Sequence, residues 1–404
     1  MVTDRIATTG IPRPGSPRVQ LSFVDAGDLY ATWRWEDDIA RPRAVAIPRE
    51  AVQPALDALA GAVPTPRPDE DVARALERAV DGPFGDPARE SDLATSLAGA
   101  LIPARLGAEL NAVLLHGERP HVRIQPSRSV ALVPWEALLV DDGRRFVHEA
   151  DVSLLPPAPV RNARGRRVSR FRAGAPVVAA LDPAIPGDVL GRVLDPSAGP
   201  IREVVERLGA RLRGPDPAVG GALDRTRLRV MLEGAGRLLY VGHVSGAAHG
   251  LDVRLHLSDA ADAPGRAEPV GAHRPLSAAD IVHGDRDGPW RAPARVALLA
   301  CASGGDHGFV EPSGLVSAFV RRGTEHVAAA RWTLPTDAGI AQATGSPVLA
   351  FSEAVRAVDD AQDRPDPVAA LGAWQRAQAE QWAATGDPAR SPLLWAAFTT
   401  AWAP

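Results

Sequence analysis

Short apolar runs alternate with amphipathic segments through the second half of the chain. Apolar runs of strand length occupy residues 176–181, 237–242, 296–300 and 326–331. Helix-like segments follow or separate them at 201–212, 224–233, 315–322, 348–361 and 366–384, and a last strand is predicted at 394–399. Buried parallel strands have continuous apolar sequences, and strands that alternate with helices are typical of an α/β sheet with right-handed crossovers. The pattern therefore predicts an α/β fold.

The first part of the chain has a different pattern. Apolar and polar residues alternate over 19–35 on both sides of the Asp25-Ala26-Gly27 turn, which predicts a β-hairpin. The three helix-like segments that follow lie at 51–59, 69–80 and 92–115, the last with a break at Pro103. Two short strands are predicted at 122–124 and 130–133, and a short helix begins at Pro134, Trp135 and Glu136.

Two of the predicted strands end in residues that are able to do nucleophilic chemistry. The strand 296–300 leads to Cys301, the only cysteine, just before a glycine-rich turn, and the strand 237–242 leads to His243. Open parallel sheets place active sites at the carboxyl ends of their strands. His243 precedes Cys301 by 58 positions (301 − 243), and caspases have their histidine about 50 residues before the cysteine. An imidazole that takes the thiol proton makes a nucleophile, so the pattern indicates a cysteine-dependent enzyme.

Other histidines compete for the role of base. His249 follows His243 closely and is the second candidate, although it does not stand at a strand end. His307 lies six residues after Cys301 and is expected to line the cleft. A lone buried cysteine is usually inert and a lone histidine usually structural, so the flanking motifs decide how this pair is interpreted.

Composition removes several classes of function. The sequence contains no lysine, and all 45 basic residues are arginine, which excludes a P-loop and Schiff-base chemistry. One cysteine excludes an intrachain disulfide and a paired-cysteine zinc or iron–sulfur site, and neither a metal nor a cofactor is expected. The net charge of −4 gives no reason to expect nucleic-acid or membrane binding. Asp4 and the lack of an apolar segment near the start argue against a signal peptide, so a cytoplasmic protein is expected.

Several motifs in order resemble one family. The sequence LLYVGH at 238–243, LLACASGG at 298–305 and GTEHVAAARWTLPTD at 323–337 resemble the CHAT domain, a bacterial branch of the caspase-like cysteine peptidases. The region around Pro134-Trp135-Glu136 and the segment SPLLWAAF at 391–398 extend the resemblance. It implies a caspase-like, mostly parallel sheet flanked by helices over residues 91–404. Residues 1–90 would form a smaller N-terminal accessory region of a hairpin and helices.

The resemblance also implies roles for particular residues. Cys301 would be the nucleophile and His243 the base, and the backbone N–H groups of Cys301 and Val244 would form the oxyanion hole. The family's usual His-Gly pair is His243-Val244 here, and the donor survives this change if the φ angle of Val244 stays negative. The end of the first strand helps line the substrate pocket in caspase-like folds, and this position is Asp182.

Two functions follow as alternatives. The first is a cysteine endopeptidase that cleaves one protein partner, under control of a protein activator or regulator, in a bacterial defence or cell-death pathway. An acidic pocket at Asp182, with Asp306 and Asp337 as further candidates, would favour Arg or Lys before the cut, unless Asp182-Pro183 only opens a turn. The second is a catalytically silent scaffold that binds a partner without cutting it. The intact Cys301 and His243 favour the first alternative, and Val244 is the best argument for the second.

Overall fold

The fold, seen in a computed structural model of the chain, has one large sheet with helices against it and a separate two-stranded sheet at residues 139–145. The structure describes residues 16–141, 143–187, 190–246, 250–284, 288, 290–302 and 313–404, with the backbone alone at 301, 302 and 313.

The strands, numbered in chain order, are β1 Arg18–Ala26, β2 Asp28–Trp35, β3 Arg43–Ile47, β4 His121–Gln125, β5 Leu139–Asp141, β6 Arg144–Arg145, β7 Asp151–Leu154, β8 Val177–Leu181, β9 Leu212–Arg213, β10 Arg237–Ser245, β11 Arg254–Leu255, β12 Leu276–Ser277, β13 Arg295–Ala302, β14 His326–Ala330 and β15 Phe398–Trp402. The helices are α1 Arg49–Ala62, α2 Val72–Asp81, α3 Pro87–Leu101, α4 Ala104–Leu115, α5 Phe146–Glu149, α6 Ala158–Arg161, α7 Gly199–Leu208, α8 Arg225–Leu232, α9 Ala278–His283, α10 Ser313–Arg321, α11 Asp337–Thr344, α12 Ala350–Asp363, α13 Pro367–Thr385 and α14 Pro392–Trp395.

The described residues place thirteen of these strands in one mostly parallel sheet. Its path runs β12-β11-β10-β13-β14-β15-β7-β4-β1-β2-β3, and β8 and β9 lie beside β10. Strands β8, β10, β13 and β14 pair in parallel, as do β15, β7, β4 and β1. Alternate residues of β8, β10 and β13 enter two separate hydrophobic clusters, one on each face of the sheet. Burial on both faces explains why these strands have continuous apolar sequences.

The structure confirms most of the predicted elements. The hairpin turns at Gly27, where φ is +79°, a value that glycine adopts without strain. The break at Pro103 separates α3 from α4. Two predictions are wrong. The segment 130–133 is no strand, because Val130 ends a short 3-10 helix and residues 131–132 form a turn. Residues 392–395 are helical, so the last strand begins only at Phe398.

The N-terminal hairpin is part of the main sheet. Strand β1 pairs in parallel with β4, and β2 and β3 extend the sheet beyond it. Trp33 and Trp35 both donate their indole N–H to Glu109 of α4, at 3.1 and 2.9 Å. The hairpin is therefore tied to the helices by hydrogen bonds, and the division of the chain at residue 90 stays a prediction.

Arginine side chains tie distant segments together by donating to backbone carbonyls. Four that each donate to two or more carbonyl oxygens are Arg119, Arg166, Arg295 and Arg331. The guanidinium of Arg166 reaches the carbonyls of Thr324, 158 positions away, and Ala403, 237 positions away. The planar fork of arginine makes such shared bonds possible.

No single helix among the described residues has the length and hydropathy of a membrane span, and only the pair α3 and α4, bent by 102°, meets that test when joined.

Candidate active site

The centre of the site lies on β10, at the point where one neighbouring strand ends and another begins along the same edge. On this edge β8 pairs with β10 up to Val241, and β11 pairs with it from Val244 onwards. The gap between the two pairings lies at Gly242 and His243. Strand β8 leaves the sheet at Asp182, whose N–H donates to the carbonyl of Val241 at 2.7 Å. The carboxyl end of the sheet thus opens beside His243, where open parallel sheets bind their ligands.

The hydrogen bond of His243 fixes its tautomer. Nε2 lies 2.7 Å from the backbone carbonyl oxygen of Gly191, and the side chain is 7 % exposed. A carbonyl oxygen only accepts, so Nε2 carries the proton and Nδ1 presents a lone pair. Within the described residues Nδ1 is buried without a hydrogen-bond partner. His243 therefore has the form that a general base requires, with the accepting nitrogen still free.

Burial keeps His243 neutral. Desolvation lowers the pKa of its imidazole from 6.5, whereas the bond to Gly191 and the charge of Asp182 raise it. The net direction is downward, so the ring is uncharged at neutral pH and is able to accept a proton. Within the described residues the imidazole is oriented by the backbone carbonyl of Gly191 and not by a further side chain. A backbone oxygen leaves no mark in the side-chain pattern, which is why sequence reasoning missed it.

Asp182 holds the segment that carries Gly191. Its Oδ2 accepts from the N–H groups of Val193 and Leu194, at 3.1 and 3.3 Å, and Arg192 approaches to 4.0 Å. The side chain is 5 % exposed, and burial raises the pKa of the carboxyl from 3.8. Its φ of +51° is in the left-handed region, which aspartate tolerates better than most residues. These contacts indicate a structural carboxylate, and its predicted role in substrate binding stays a prediction.

Position 301 lies beside His243 in the sheet. In the parallel pairing of β10 with β13, His243 is the register partner of Cys301, and Val244 that of Ala302. The two residues that the sequence analysis paired, 58 positions apart, thus lie at neighbouring backbone positions of the sheet. Val244 is within strand β10 and is not among the described residues with positive φ, so its N–H does not depend on a glycine conformation. The oxyanion-hole roles of Val244 and Cys301 stay predictions.

Tyr240 ties the backbone of His243 to that of His256. Its buried hydroxyl lies 2.6 Å from the carbonyl oxygen of His243 and 3.0 Å from that of His256, and the N–H of His256 also donates to the His243 carbonyl. A Cβ at Gly242 would stand 2.9 Å from this hydroxyl, closer than real Cβ contacts allow. The absence of a side chain at Gly242 therefore leaves room for the Tyr240 hydroxyl.

The remaining acidic candidates lie apart from this cluster or outside the described residues. Asp337 begins α11, and its carboxylate accepts from the backbone N–H groups of Phe351 and Ser352 and from the hydroxyl of Ser352. No contact described joins it to His243, so its role in the substrate pocket stays a prediction. Asp306, like His249 and His307, lies outside the described residues. In the part of the chain that is described, no group of three or more His, Cys, Asp and Glu residues could hold a metal ion.

Comparison with known families identifies the chain. The CHAT domain family model matches residues 91–402, which is most of the sequence. The chain belongs to the CHAT domain family. Of the curated proteins compared with it, none matches significantly.

The CHAT chain is similar in fold to a chain of a solved two-protein complex. A crystal structure of the Saccharomyces cerevisiae separase–securin complex at 3.0 Å resolution matches with a TM-score of 0.51 and 12 % identity, over 96 % of this chain. A 2.6 Å structure of the same complex gives a TM-score of 0.49 with the same identity and coverage. The CHAT chain spans only 30 % of the length of the solved chain that it matches. At this identity the likeness concerns the fold alone, which is the caspase-like one expected from the sequence.

A buried ion pair and two hydrogen bonds join three of the CHAT motifs. The carboxylate of Glu136 lies 2.7 Å from Arg331, and both side chains are nearly inaccessible. The other end of the Arg331 guanidinium donates to the carbonyls of Ala396 and Phe398. The Pro-Trp-Glu region, the segment 323–337 and the segment 391–398 are thereby joined away from His243. These contacts give Glu136 and Arg331 a structural role, and no contact described joins the pair to His243.

Proposed function

We propose that this CHAT protein is a cysteine endopeptidase in which Cys301 is the nucleophile and His243 the general base. The observation that carries the proposal is the state of His243. Its Nε2 is held by the Gly191 carbonyl at 2.7 Å, and its Nδ1, which has no hydrogen-bond partner in the described part of the chain, lies on the residue whose backbone is paired with the only cysteine. Family membership and the separase-like fold support the same class of reaction.

The proposed reaction proceeds through a thioester. Nδ1 of His243 takes the proton of the Cys301 thiol, and the sulfur forms a bond to the scissile carbonyl carbon. The C–N bond then breaks, and the imidazolium gives its proton to the leaving amine. Water, deprotonated by His243, attacks the thioester, and the thiol leaves with the proton returned to it. Backbone N–H groups at Val244 and Cys301 would stabilise the oxyanion.

We further propose that one protein is the substrate and that a second protein regulates the enzyme in the cytoplasm of a bacterium, in defence or cell death. The solved chain of similar fold was crystallised together with a protein partner, securin. On this likeness we expect a regulatory protein to bind the CHAT chain. From the composition we expect that no nucleic acid, membrane or cofactor is needed.

The uniqueness of Cys301 makes the proposal testable without a known substrate. Alkylation of the protein by iodoacetamide reports on this thiol alone. We would follow its rate against pH by intact mass, in the wild type and in His243→Ala. The wild-type rate should titrate below the ordinary thiol pKa of about 8.5 and return towards it in the variant.

The matched control is His249→Ala, since His249 is the rival base in the sequence. This variant should titrate as the wild type does. A thiol that is indifferent to His243 would contradict the proposal and favour the silent scaffold. A shift caused by His249→Ala instead would assign the base to His249.

A further inference from the structure

The connector between α6 and β8, residues 162–176, is held against the rest of the protein by three of its side chains. Arg166 donates to three backbone carbonyls outside the connector, at 2.6 to 3.2 Å. Ser169 donates to carbonyls of two other segments, through its N–H at 2.8 Å and through its hydroxyl at 3.0 Å. The guanidinium of Arg295 lies 3.5 Å from the ring centre of Phe171. The connector contains no helix or strand, so these contacts fix its course.

Arginine side chains occupy the exposed positions between and beside these contacts. Arg291 stands next to Ala292, whose carbonyl accepts from the hydroxyl of Ser169. Arg321 stands next to Val320, whose carbonyl accepts from Arg166. Together with four arginines of the connector they form what we call the arginine surface, and all six are exposed: Arg164, Arg167, Arg170, Arg172, Arg291 and Arg321.

The charges of the arginine surface are not neutralised by the described part of the chain. None of its six guanidinium groups has a salt bridge or a side-chain hydrogen bond to a described residue. The described residues of the adjoining segments, 290–294 and 320–325, include one carboxyl group, that of Glu325, which accepts from the indole N–H of Trp402 at 3.4 Å. The chain as a whole has a net charge of −4. A cluster of positive charge on such a chain attracts ligands of the opposite sign.

The arginine surface and the proposed active site lie at opposite ends of the sheet. The connector contacts Arg295, the first residue of β13, which is the register partner of Arg237, the first residue of β10. His243 lies six residues further along β10 (243 − 237), a distance of about 20 Å at 3.3 Å per residue. Substitutions in the arginine surface should therefore leave His243 and Cys301 unaffected.

We propose that the arginine surface binds an acidic segment of a protein partner. A guanidinium group binds a carboxylate through two parallel hydrogen bonds, and no described carboxylate of this chain takes that place. The inference gives the regulatory protein of the proposed function a binding surface and a chemistry. It rests on that function only in expecting a protein partner, because the binding itself does not involve the chemistry of Cys301.

The other side chains of the connector disfavour two alternative anionic partners. Single-stranded nucleic acids bind by stacking their bases on aromatic side chains. Phe171 is the only aromatic residue of the connector, and the guanidinium of Arg295 lies over its ring. Basic segments bind membrane surfaces through apolar side chains as well as charge, and Val168 is the only large apolar side chain that the connector exposes. A segment rich in carboxylates requires neither feature.

The test measures the binding of a synthetic acidic peptide by fluorescence anisotropy. The probe is a fluorescein-labelled peptide in which glutamate alternates with serine, and the same peptide with glutamine for glutamate shows the binding that does not depend on charge. The surface variant combines Arg164→Gln, Arg167→Gln and Arg170→Gln. Its Kd for the acidic peptide should be about tenfold higher than that of the wild type, slightly more than twofold for each exposed ion pair lost.

The matched control removes the same charge from other segments. Arg74, Arg128 and Arg202 are exposed, and none has a salt bridge to a described residue. Their combined replacement by glutamine should change the Kd by less than about twofold, because salt at about 0.1 M screens exposed charges beyond about 10 Å. Equal weakening in the two variants would mean that net charge alone attracts the peptide, and this would overturn the proposal. A wild-type protein that does not bind the acidic peptide would overturn it as well.

Two further probes decide the class of partner. They are a labelled RNA, single-stranded and as a duplex, and vesicles of phosphatidylcholine and phosphatidylserine. Tighter binding of either one than of the acidic peptide, lost in the surface variant and kept in the control, would overturn the choice of a protein partner.

Alkylation of Cys301 by iodoacetamide, measured in the same samples, separates this inference from the proposed function. The surface variant should react as the wild type does, which also shows that it is folded. Lost peptide binding with unchanged alkylation supports the arginine surface. If Cys301 is indifferent to His243, the peptidase proposal fails, and the two sets of Kd values still decide whether the surface binds an acidic segment.

Discussion

Replacing Asp182 by asparagine and by alanine separates two roles for its carboxyl group. The wild-type carboxylate accepts from the N–H groups of Val193 and Leu194 and stands at a φ of +51°. Asparagine keeps an acceptor oxygen and tolerates the left-handed conformation, but it carries no charge. Alanine removes the acceptor and disfavours that conformation. The loop that brings Gly191 to His243 should therefore survive the first change and not the second.

The cost of Asp182→Ala follows from these contacts. Val193 and Leu194 are both buried, and each N–H left without an acceptor costs about 1–3 kcal/mol. Holding alanine in the left-handed conformation adds about 1 kcal/mol. We therefore expect the free energy of unfolding to fall by at least about 3 kcal/mol, measured by urea unfolding with tryptophan fluorescence.

The pH dependence of Asp182→Asn has a definite sign. Burial raises the pKa of the Asp182 carboxyl above 3.8, so ionisation is less favourable in the folded than in the unfolded state. The stability that the protonated carboxyl contributes is complete below pH 3.8 and is lost as the pH rises through the folded pKa. Asparagine does not ionise. The free energy of unfolding of Asp182→Asn relative to that of the wild type should therefore rise between about pH 4 and pH 7. At pH 7 the variant should be at least as stable as the wild type.

Two results would refute this reasoning. An Asp182→Ala protein within about 1 kcal/mol of the wild type would mean that the carboxylate does not hold the loop. The second concerns specificity, measured as the ratio of cleavage after Arg to cleavage after Leu in reporter peptides. We expect Asp182→Asn to leave this ratio unchanged, and a loss of preference for Arg would mean that Asp182 contacts the substrate.

Three further predictions concern the surroundings of the site. Gly242→Ala should displace the Tyr240 hydroxyl, lower the free energy of unfolding by about 1–3 kcal/mol and slow Cys301 alkylation; an unchanged alkylation rate would contradict the role of Tyr240. Arg331→Met should cost about 3–5 kcal/mol in urea unfolding because Glu136 is left charged and buried, and Glu136→Gln in the same chain should recover part of it; no recovery would argue against the pair. Burial lowers the pKa of His326 to about 3, so its contribution to stability is present above pH 6.5 and is lost towards pH 3. His326→Gln should flatten the acid side of the stability profile by up to about 1.4 kcal/mol per pH unit, and an identical profile would contradict this.

The site could be predicted from sequence wherever a side chain stands at a strand end. His243 and Cys301 follow continuous apolar runs, and such runs in a parallel sheet end at one edge, which made their proximity predictable. Gly191 could not be found in this way, because it acts through its carbonyl.

The errors in secondary structure have a similar physical origin. Val130 and Val133 are completely buried, so their apolar character is real, but a short buried run does not distinguish a strand from a turn. At the end of the chain, Pro392 begins a helical turn, as proline commonly does at a first helical position, and the strand starts only at Phe398.

The arginine bonds to backbone carbonyls have a consequence for how this fold changes during evolution. A bond from the Arg166 guanidinium to the carbonyls of Thr324 and Ala403 places a requirement on Arg166 alone, because every amino acid supplies a carbonyl. The partner segments are therefore free to exchange their side chains while the connection persists. Random substitution should be tolerated unevenly, with low tolerance at the donating arginines and high tolerance at the positions they hold. Even lysine should fail at the donors, because a single ammonium group lacks the planar fork that serves several carbonyls at once.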